Sequence, residues 1–213
     1  MESFHLAISW TLALYSGLIL LVAYTVRGIV GFASALIAVP LLSLELPLPV
    51  VVPIVSLLDY IASVSQGLQH RRLIRWREML PLLPFTVIGV VIGLWLLAQL
   101  ESSSLALALG LFISLYGLYA LLPFPDLRGS RCWAAPLGLL GGLVGAVFGT
   151  GGPFYVIYLR LRRFEKGDFR ATVATIFMLD GGMRLLGYLG AGFYDRQSLW
   201  VIAGGLPVMA LGL

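Results

Sequence analysis

Phe148-Gly149-Thr150-Gly151-Gly152-Pro153 stands near the middle of a 27-residue apolar run, Trp133 to Leu159. A bilayer helix cannot run smoothly through that stretch. Proline lacks the backbone donor and blocks the preceding turn, and each glycine lowers helix propensity. Unpaired backbone at membrane depth is tolerated only where it is buried in protein or lines a cavity. A broken apolar segment of this kind marks a binding site, and a transporter is its usual host.

The rest of the chain supplies the membrane. Of 213 residues, 60% are hydrophobic and 11% charged, and the mean hydropathy is +0.98. No soluble domain of this length needs so much apolar material, so the fold class is an all-α polytopic membrane protein. Met1 to Ser9 holds Glu2 and His5 but no Lys or Arg. That stretch lacks the basic region of a cleaved signal peptide, and the first apolar segment is expected to stay. One cysteine, Cys132, rules out an internal disulfide, and two histidines, His5 and His70, rule out a His-rich metal cluster. No metal and no cofactor are expected. The net charge of +4 comes from loop clusters. It reports orientation rather than nucleic-acid binding.

Charges and turns divide the apolar mass. Residues 5–44 are interrupted around Arg27-Gly28-Ile29-Val30-Gly31, and 50–69 read as a helix. Spans 79–100 and 104–122 follow, then the broken run, then 171–192 and 198–213. About seven membrane segments result. Three connections are basic: 70–78, 125–131 and 160–170. Basic loops stay in the cytoplasm, so all three are expected on that side. Residues 132–159 must then leave the cytoplasm and return to it. A full crossing takes about 20 residues, so 28 residues cannot cross twice. The solution is a re-entrant hairpin of two half-helices meeting at Gly149–Pro153. Pro153 suits the first position of the second half-helix, with Thr150 or Gly152 near its cap.

The first 45 residues read the same way. Phe32-Ala33-Ser34-Ala35 parallels Phe148-Gly149-Thr150-Gly151, and each is preceded by glycines. Asp59 follows Phe32 by 27 residues and Asp180 follows Phe148 by 32, each on a later apolar helix. The Asp59 helix ends at a basic loop, whereas the Asp180 helix begins at one. The two units, 1–125 and 126–213, are therefore expected to form an inverted-topology repeat of helix bundles with two broken hairpins. By that repeat the second unit lacks its last helix and part of another.

The string Gly28-x-x-Gly31-Phe32-Ala33-Ser34-Ala35-Leu36-Ile37-Ala38-Val39-Pro40-Leu41-Leu42 resembles the first glycine-rich motif of the TauE/SafE sulfite-exporter family. Gly142-x-x-Gly145-x-x-Phe148-Gly149-Thr150-Gly151-Gly152-Pro153 resembles the second. The resemblance covers nearly the whole chain. At Ala33, Ser34 and Ala35 the family usually carries glycines. The resemblance implies export of small sulfur-containing anions, sulfite or organosulfonates, across the inner (plasma) membrane.

Few polar groups are available for that work. Arg27 lies deep in the first broken segment, where a charge costs about 2.5–3.5 kcal/mol on insertion scales. It clamps the anion, reaches the interface, or pairs with Asp59 or Asp180. Gly149, Thr150, Gly151 and Gly152 begin a half-helix whose N–H groups and dipole suit an oxyanion, with Ser34 as counterpart in the first unit. Close helix packing through small residues is the alternative. Asp180 and Arg184 stand four apart on one helix and form either a structural salt bridge or a substrate-competed pair. Asp59 has only Val55 and Ser63 at i±4. It is a proton-coupling candidate with Asp180, unless Arg27 claims it. Gln66 is a lesser candidate. The arginines 71, 72, 75, 77, 160, 162 and 163 read as topology signals, and Trp10, Trp76, Trp95, Trp133 and Trp200 as interfacial anchors.

A secondary transporter working by alternating access is the reading these features favour. There is no Walker motif, so a proton or the membrane potential is the expected driving force. The chain is not expected to be an enzyme, since it has no His-Glu-x-x-His and no Gly-x-Ser-x-Gly. An anion channel would share the architecture. The expected partners are the lipid bilayer, a small sulfur anion, a proton and a second copy of the chain.

Overall fold

The computed structural model describes residues 10–69, 73–122, 129–194 and 196–213. Glu2, His5, His70, Arg71, Arg72, Arg128 and the side chain of Gln66 lie outside the described residues. Among those described, every regular element is helical. In order they are α1 Trp10–Val30, α2 Ser34–Leu42, α3 Leu48–Gln69, α4 Trp76–Met79, α5 Leu83–Gln99 and α6 Ser102–Leu121. The second half holds α7 Ala134–Phe148, α8 Gly152–Leu161, α9 Lys166–Gly190 and α10 Arg196–Gly212.

Trp10–Val30, Leu48–Ser65, Ser102–Leu121 and Arg131–Phe148 are long and apolar enough to cross a bilayer. Leu83–Gln99 and Ser198–Gly212 are shorter apolar helices. The 25-residue α9 is amphipathic instead: it carries Asp168, Asp180 and Arg184 and begins inside the basic connection, five residues before the expected 171. Helix α6 shows how lipid contact looks in the sequence. It buries only Leu105 and Leu109. Leu107, Leu111, Leu115 and Leu118 stand exposed along one face, as a helix bordered by hydrocarbon allows.

Helices α7 and α8 form a hairpin, although its first arm, Arg131–Phe148, is long enough to cross a bilayer rather than a half-helix. Helix α7 stops where Gly149 turns left-handed (φ +72°), a conformation that costs glycine nothing. Helix α8 then folds back, and the Tyr155 ring lies against Gly141. The hairpin closes at its open end, where the Gly129 N–H donates to the Leu161 carbonyl at 3.1 Å and Arg162 Nη1 donates to the Gly129 carbonyl at 2.9 Å. The arms are unequal, 15 and 10 residues. Gly152 is the first residue of α8, Pro153 follows it, and no side chain caps this end. The cap is Gly151, flanked by the Thr150 and Gly152 expected near it, and Pro153 takes the second position rather than the first.

The first hairpin also folds back, with the Tyr15 hydroxyl donating to the Leu41 carbonyl at 2.9 Å. Its break differs from expectation. Helix α1 continues through Arg27 to Val30, a full 21 residues. The chain turns only at Gly31 (φ +88°) and Ala33 (φ +86°). Nothing between Arg27 and Val30 blocks a helix, because that stretch has no proline and no positive φ. The first positive φ ends it.

The two halves meet tightly along α5 and α7. A methyl group at Gly93 would come within 2.6 Å of the Leu143 carbonyl, and one at Gly138 within 2.8 Å of the Leu82 carbonyl. Gly89 and Gly142 face the Leu139 and Thr86 carbonyls more closely still. Two four-residue glycine spacings thus let two backbones approach each other, the usual means of helix association in lipid.

The three basic connections lie together. Arg75 Nε meets Asp168 Oδ2 at 2.6 Å, Arg131 Nη2 meets Glu78 Oε1 at 2.7 Å and Arg162 Nε meets Glu78 Oε2 at 2.8 Å. The parity argument expects them on one side of the membrane, and these ion pairs bring them into contact with one another. These two guanidinium groups hold the Glu78 carboxyl down at about 2, Arg131 and then Arg162 donating hydrogen bonds to its charged form.

Candidate functional site

Both breaks point into one small cavity of about 30 Å³. Its lining includes Arg27, Ser34, Asp59, Gly149, Thr150, Gly151, Gly152, Asp180 and Arg184. All nine residues singled out in the sequence are thus in one place, although they come from α1, α2, α3, the second break, α8 and α9. Helix α3 is the common wall. Ser56, Asp59 and Ser63 recur on it at one-turn and two-turn spacing and carry the polar contacts of both halves.

The first half's charges pair with each other, and of their buried polar atoms only Arg27 Nε has no hydrogen-bond partner in the protein. Arg27 is buried and pairs with Asp59, Nη1 to Oδ1 at 3.0 Å. Ser34 bridges the pair: its hydroxyl accepts from Arg27 Nη1 at 3.0 Å and donates to Asp59 Oδ1 at 2.7 Å. The Tyr24 hydroxyl donates to the same Oδ1 at 2.8 Å. Arg27 Nη2 donates to Ser63 Oγ at 2.6 Å and to the Asp59 carbonyl at 3.2 Å. Asp59 is therefore not the lone carboxyl that its i±4 neighbours suggested. Its partner comes from another helix, which is the alternative the sequence left open.

The second half is less satisfied. Arg184 Nε approaches Asp180 Oδ2 at 3.1 Å, without the alignment of a hydrogen bond. Arg184 Nη1 donates to the Gly145 carbonyl at 2.8 Å and, across the halves, to Ser56 Oγ at 3.3 Å. The Tyr155 hydroxyl donates to Asp180 Oδ1 at 3.1 Å. Thr150 Oγ1, Asp180 Oδ2, Arg184 Nε and, from the first half, Arg27 Nε are buried without a hydrogen-bond partner in the protein. Buried polar atoms are rarely left unpaired. Four such atoms edge one cavity, and two of them, Arg184 Nε and Asp180 Oδ2, face each other in the ion pair.

The glycines divide by role. Gly149 supplies the left-handed turn. Gly151 packs so closely on the Gly141 carbonyl that no side chain would fit, and a methyl at Gly152 would press on the Phe177 ring at 3.0 Å. Helix packing therefore accounts for Gly151. The Gly149 N–H donates to the Gly145 carbonyl at 2.8 Å and the Phe154 N–H to the Gly151 carbonyl at 3.3 Å, and Pro153 has no N–H, so the N–H groups left for a ligand at the start of α8 are those of Thr150, Gly151 and Gly152.

Sequence reasoning missed Tyr24, Ser56, Tyr60, Ser63, Tyr155 and Phe177. The serine spacing on α3 was legible. The tyrosines carried no signal, because a tyrosine in an apolar run reads equally well as core.

The sulfite exporter TauE/SafE family matches residues 16–213 of the chain. A relative from Comamonas testosteroni, described as a probable inner membrane transporter protein, TsaS, is 33% identical over 167 residues. The match covers 75% of this chain and 68% of the relative. No solved structure matches.

Proposed function

The chain belongs to the sulfite exporter TauE/SafE family, and from that premise we propose that it is a secondary transporter of small sulfur-containing oxyanions in the inner membrane. The two units, 1–125 and 126–213, alternate access to the cavity between the two helix breaks, and the direction is export. The observation that carries this reading is the convergence of both breaks and two Arg–Asp pairs on one cavity edged by unpaired polar atoms.

The chemistry fits an anion that must bind and leave. Each arginine is neutralised by its own aspartate, so the empty site carries no net charge to hold a substrate irreversibly. The helix-start N–H groups add about half a positive charge at the tip. A cavity of about 30 Å³ has room for roughly one water molecule. The described conformation is thus contracted, and the breaks must part for a sulfite or sulfonate to enter. A site that closes between loading events favours a carrier over an open pore. With no nucleotide motif in the sequence, a proton or the membrane potential supplies the drive.

Uptake into proteoliposomes, compared among sulfite, sulfoacetate, taurine, sulfate and thiosulfate, tests the proposal. Saturable flux of a sulfur oxyanion is expected. Flux that rises linearly with concentration at channel rates would overturn the carrier.

A further inference from the structure

We infer that Tyr155 is a positioning residue for transport: from behind the cavity it holds Asp180, and so lets that aspartate release Arg184 to the anion. The inference rests on the transport reading above and assigns, within it, which arginine grips and what makes its release possible.

A neutral Arg–Asp pair binds an anion by exchange. The arginine turns to the incoming charge and leaves a buried carboxylate behind. Taking one partner from a buried ion pair is strongly unfavourable unless other donors stand in for it. The two pairs of this cavity differ in what each arginine would lose. Arg27 is fixed by three contacts beyond its ion pair. Its Nη1 donates to Ser34 Oγ at 3.0 Å, and its Nη2 donates to Ser63 Oγ at 2.6 Å and to the Asp59 carbonyl at 3.2 Å. Arg184 is held by fewer. Its Nη1 donates to the Gly145 carbonyl at 2.8 Å and to Ser56 Oγ at 3.3 Å. Its Nε faces Asp180 Oδ2 at 3.1 Å as an ion pair, without the alignment of a hydrogen bond. Arg184 is therefore the guanidinium that turns more easily.

Asp180 has a second donor for the moment of exchange. The Tyr155 hydroxyl donates to its other oxygen, Oδ1, at 3.1 Å. Arg184 and Tyr155 thus use opposite oxygens, and one can leave without disturbing the other. A hydrogen bond to an ionised carboxylate is among the stronger kinds, and this one matters most while the arginine is away. Tyr155 does not compete for the anion. Asp180 and Arg184 line the cavity and Tyr155 does not. Its side chain is wholly buried, with the ring against Gly141 and the Phe177 ring 6.2 Å away. It also stands on α8 whereas the pair stands on α9, so the donor stays in place when Arg184 moves. Asp59 has a tyrosine too, Tyr24, on Oδ1 at 2.8 Å, but Ser34 donates to the same atom at 2.7 Å. The first half therefore does not depend on a single hydroxyl.

The test measures sulfite uptake into proteoliposomes by wild type, Tyr155→Phe and Tyr24→Phe. Phenylalanine keeps each ring and its packing and removes only the hydroxyl. Tyr155→Phe should raise KM by about 10-fold or more, as expected for a lost hydrogen bond to a charged group, with the maximal rate little changed. Tyr24→Phe removes the same group from the same kind of pair and should keep KM close to wild type. A general structural role for buried hydroxyls would not separate the two variants. In an Asp180→Asn background the side chain is neutral and no carboxylate is stranded, so Tyr155→Phe should raise KM no further. A wild-type KM in Tyr155→Phe, equal rises in both phenylalanine variants, or a full further rise in the Asp180→Asn background overturns the inference and leaves the transport reading standing. Failure of Tyr155→Phe to insert would make the hydroxyl structural and overturn it as well. If wild-type sulfite uptake does not saturate, both readings fall. Should Asp180→Asn not insert, the comparison of the two tyrosines decides.

Discussion

Ala33 holds a left-handed backbone, φ +86°, at the position where the parallel motif has Gly149. For an L-residue that conformation costs about 1–2 kcal/mol. Ala33→Gly should relieve most of it and raise the thermal midpoint in detergent, with transport unchanged; a lower midpoint would show that the turn is not strained. Thr150 follows Gly149 in the second break, with its hydroxyl unmet. Thr150→Leu should abolish uptake and leave membrane insertion intact, since the cavity fills and the polar edge is lost. Normal uptake by that variant would remove the break from the site. Asp59 behaves differently from the isolated acid its local spacing suggested. Replacing it with asparagine strands Arg27 as a buried charge, a loss of about 3 kcal/mol or more. The charge-free pair Arg27→Gln with Asp59→Asn should recover part of that stability, as read by denaturation in detergent. No recovery would mean that the two charges are not coupled.

Among the elements, α5 and α7 make the closest approach, and their glycines set it. A methyl at Gly142 would overlap the Thr86 carbonyl, so Gly142→Ala should destabilise the protein by about 1–3 kcal/mol, the usual range for overpacking. Gly110→Ala on the lipid-exposed α6, where nothing lies within 4 Å, should be neutral. Equal effects of the two changes, measured as thermal midpoints, would contradict this packing. The breaks were legible as elements because Gly-rich and Pro-containing strings interrupt helices for local reasons. Their lengths were less so. Helix α1 overran its expected end because no residue from Arg27 to Val30 opposes a helix, and α9 started early because its amphipathic first turns belong to the charged end of the molecule.

At the scale of the whole molecule, Glu78 ties α4 to both ends of the second hairpin through Arg131 and Arg162. Its carboxyl is held at about 2, below the ordinary 4.5. The folded value is the lower one, so the tie contributes fully above about 4.5 and is lost as pH falls toward about 2. Wild type and Glu78→Gln should differ in thermal midpoint at neutral pH and converge as acid is added across that window. A gap that persists at the acid end would assign the effect to something other than the ion pairs.

The sequence by itself determined that the chain is a helical membrane protein and where its two breaks fall to within a few residues, and the nine residues it singled out line one cavity. The class and the breaks are consequences of composition and of backbone chemistry, which act locally. Only the tertiary structure decided which charges are partners. Arg27 finds Asp59 from 32 positions away and Arg184 reaches Ser56 from 128. Such pairings depend on how helices lie against one another, and no local periodicity encodes that.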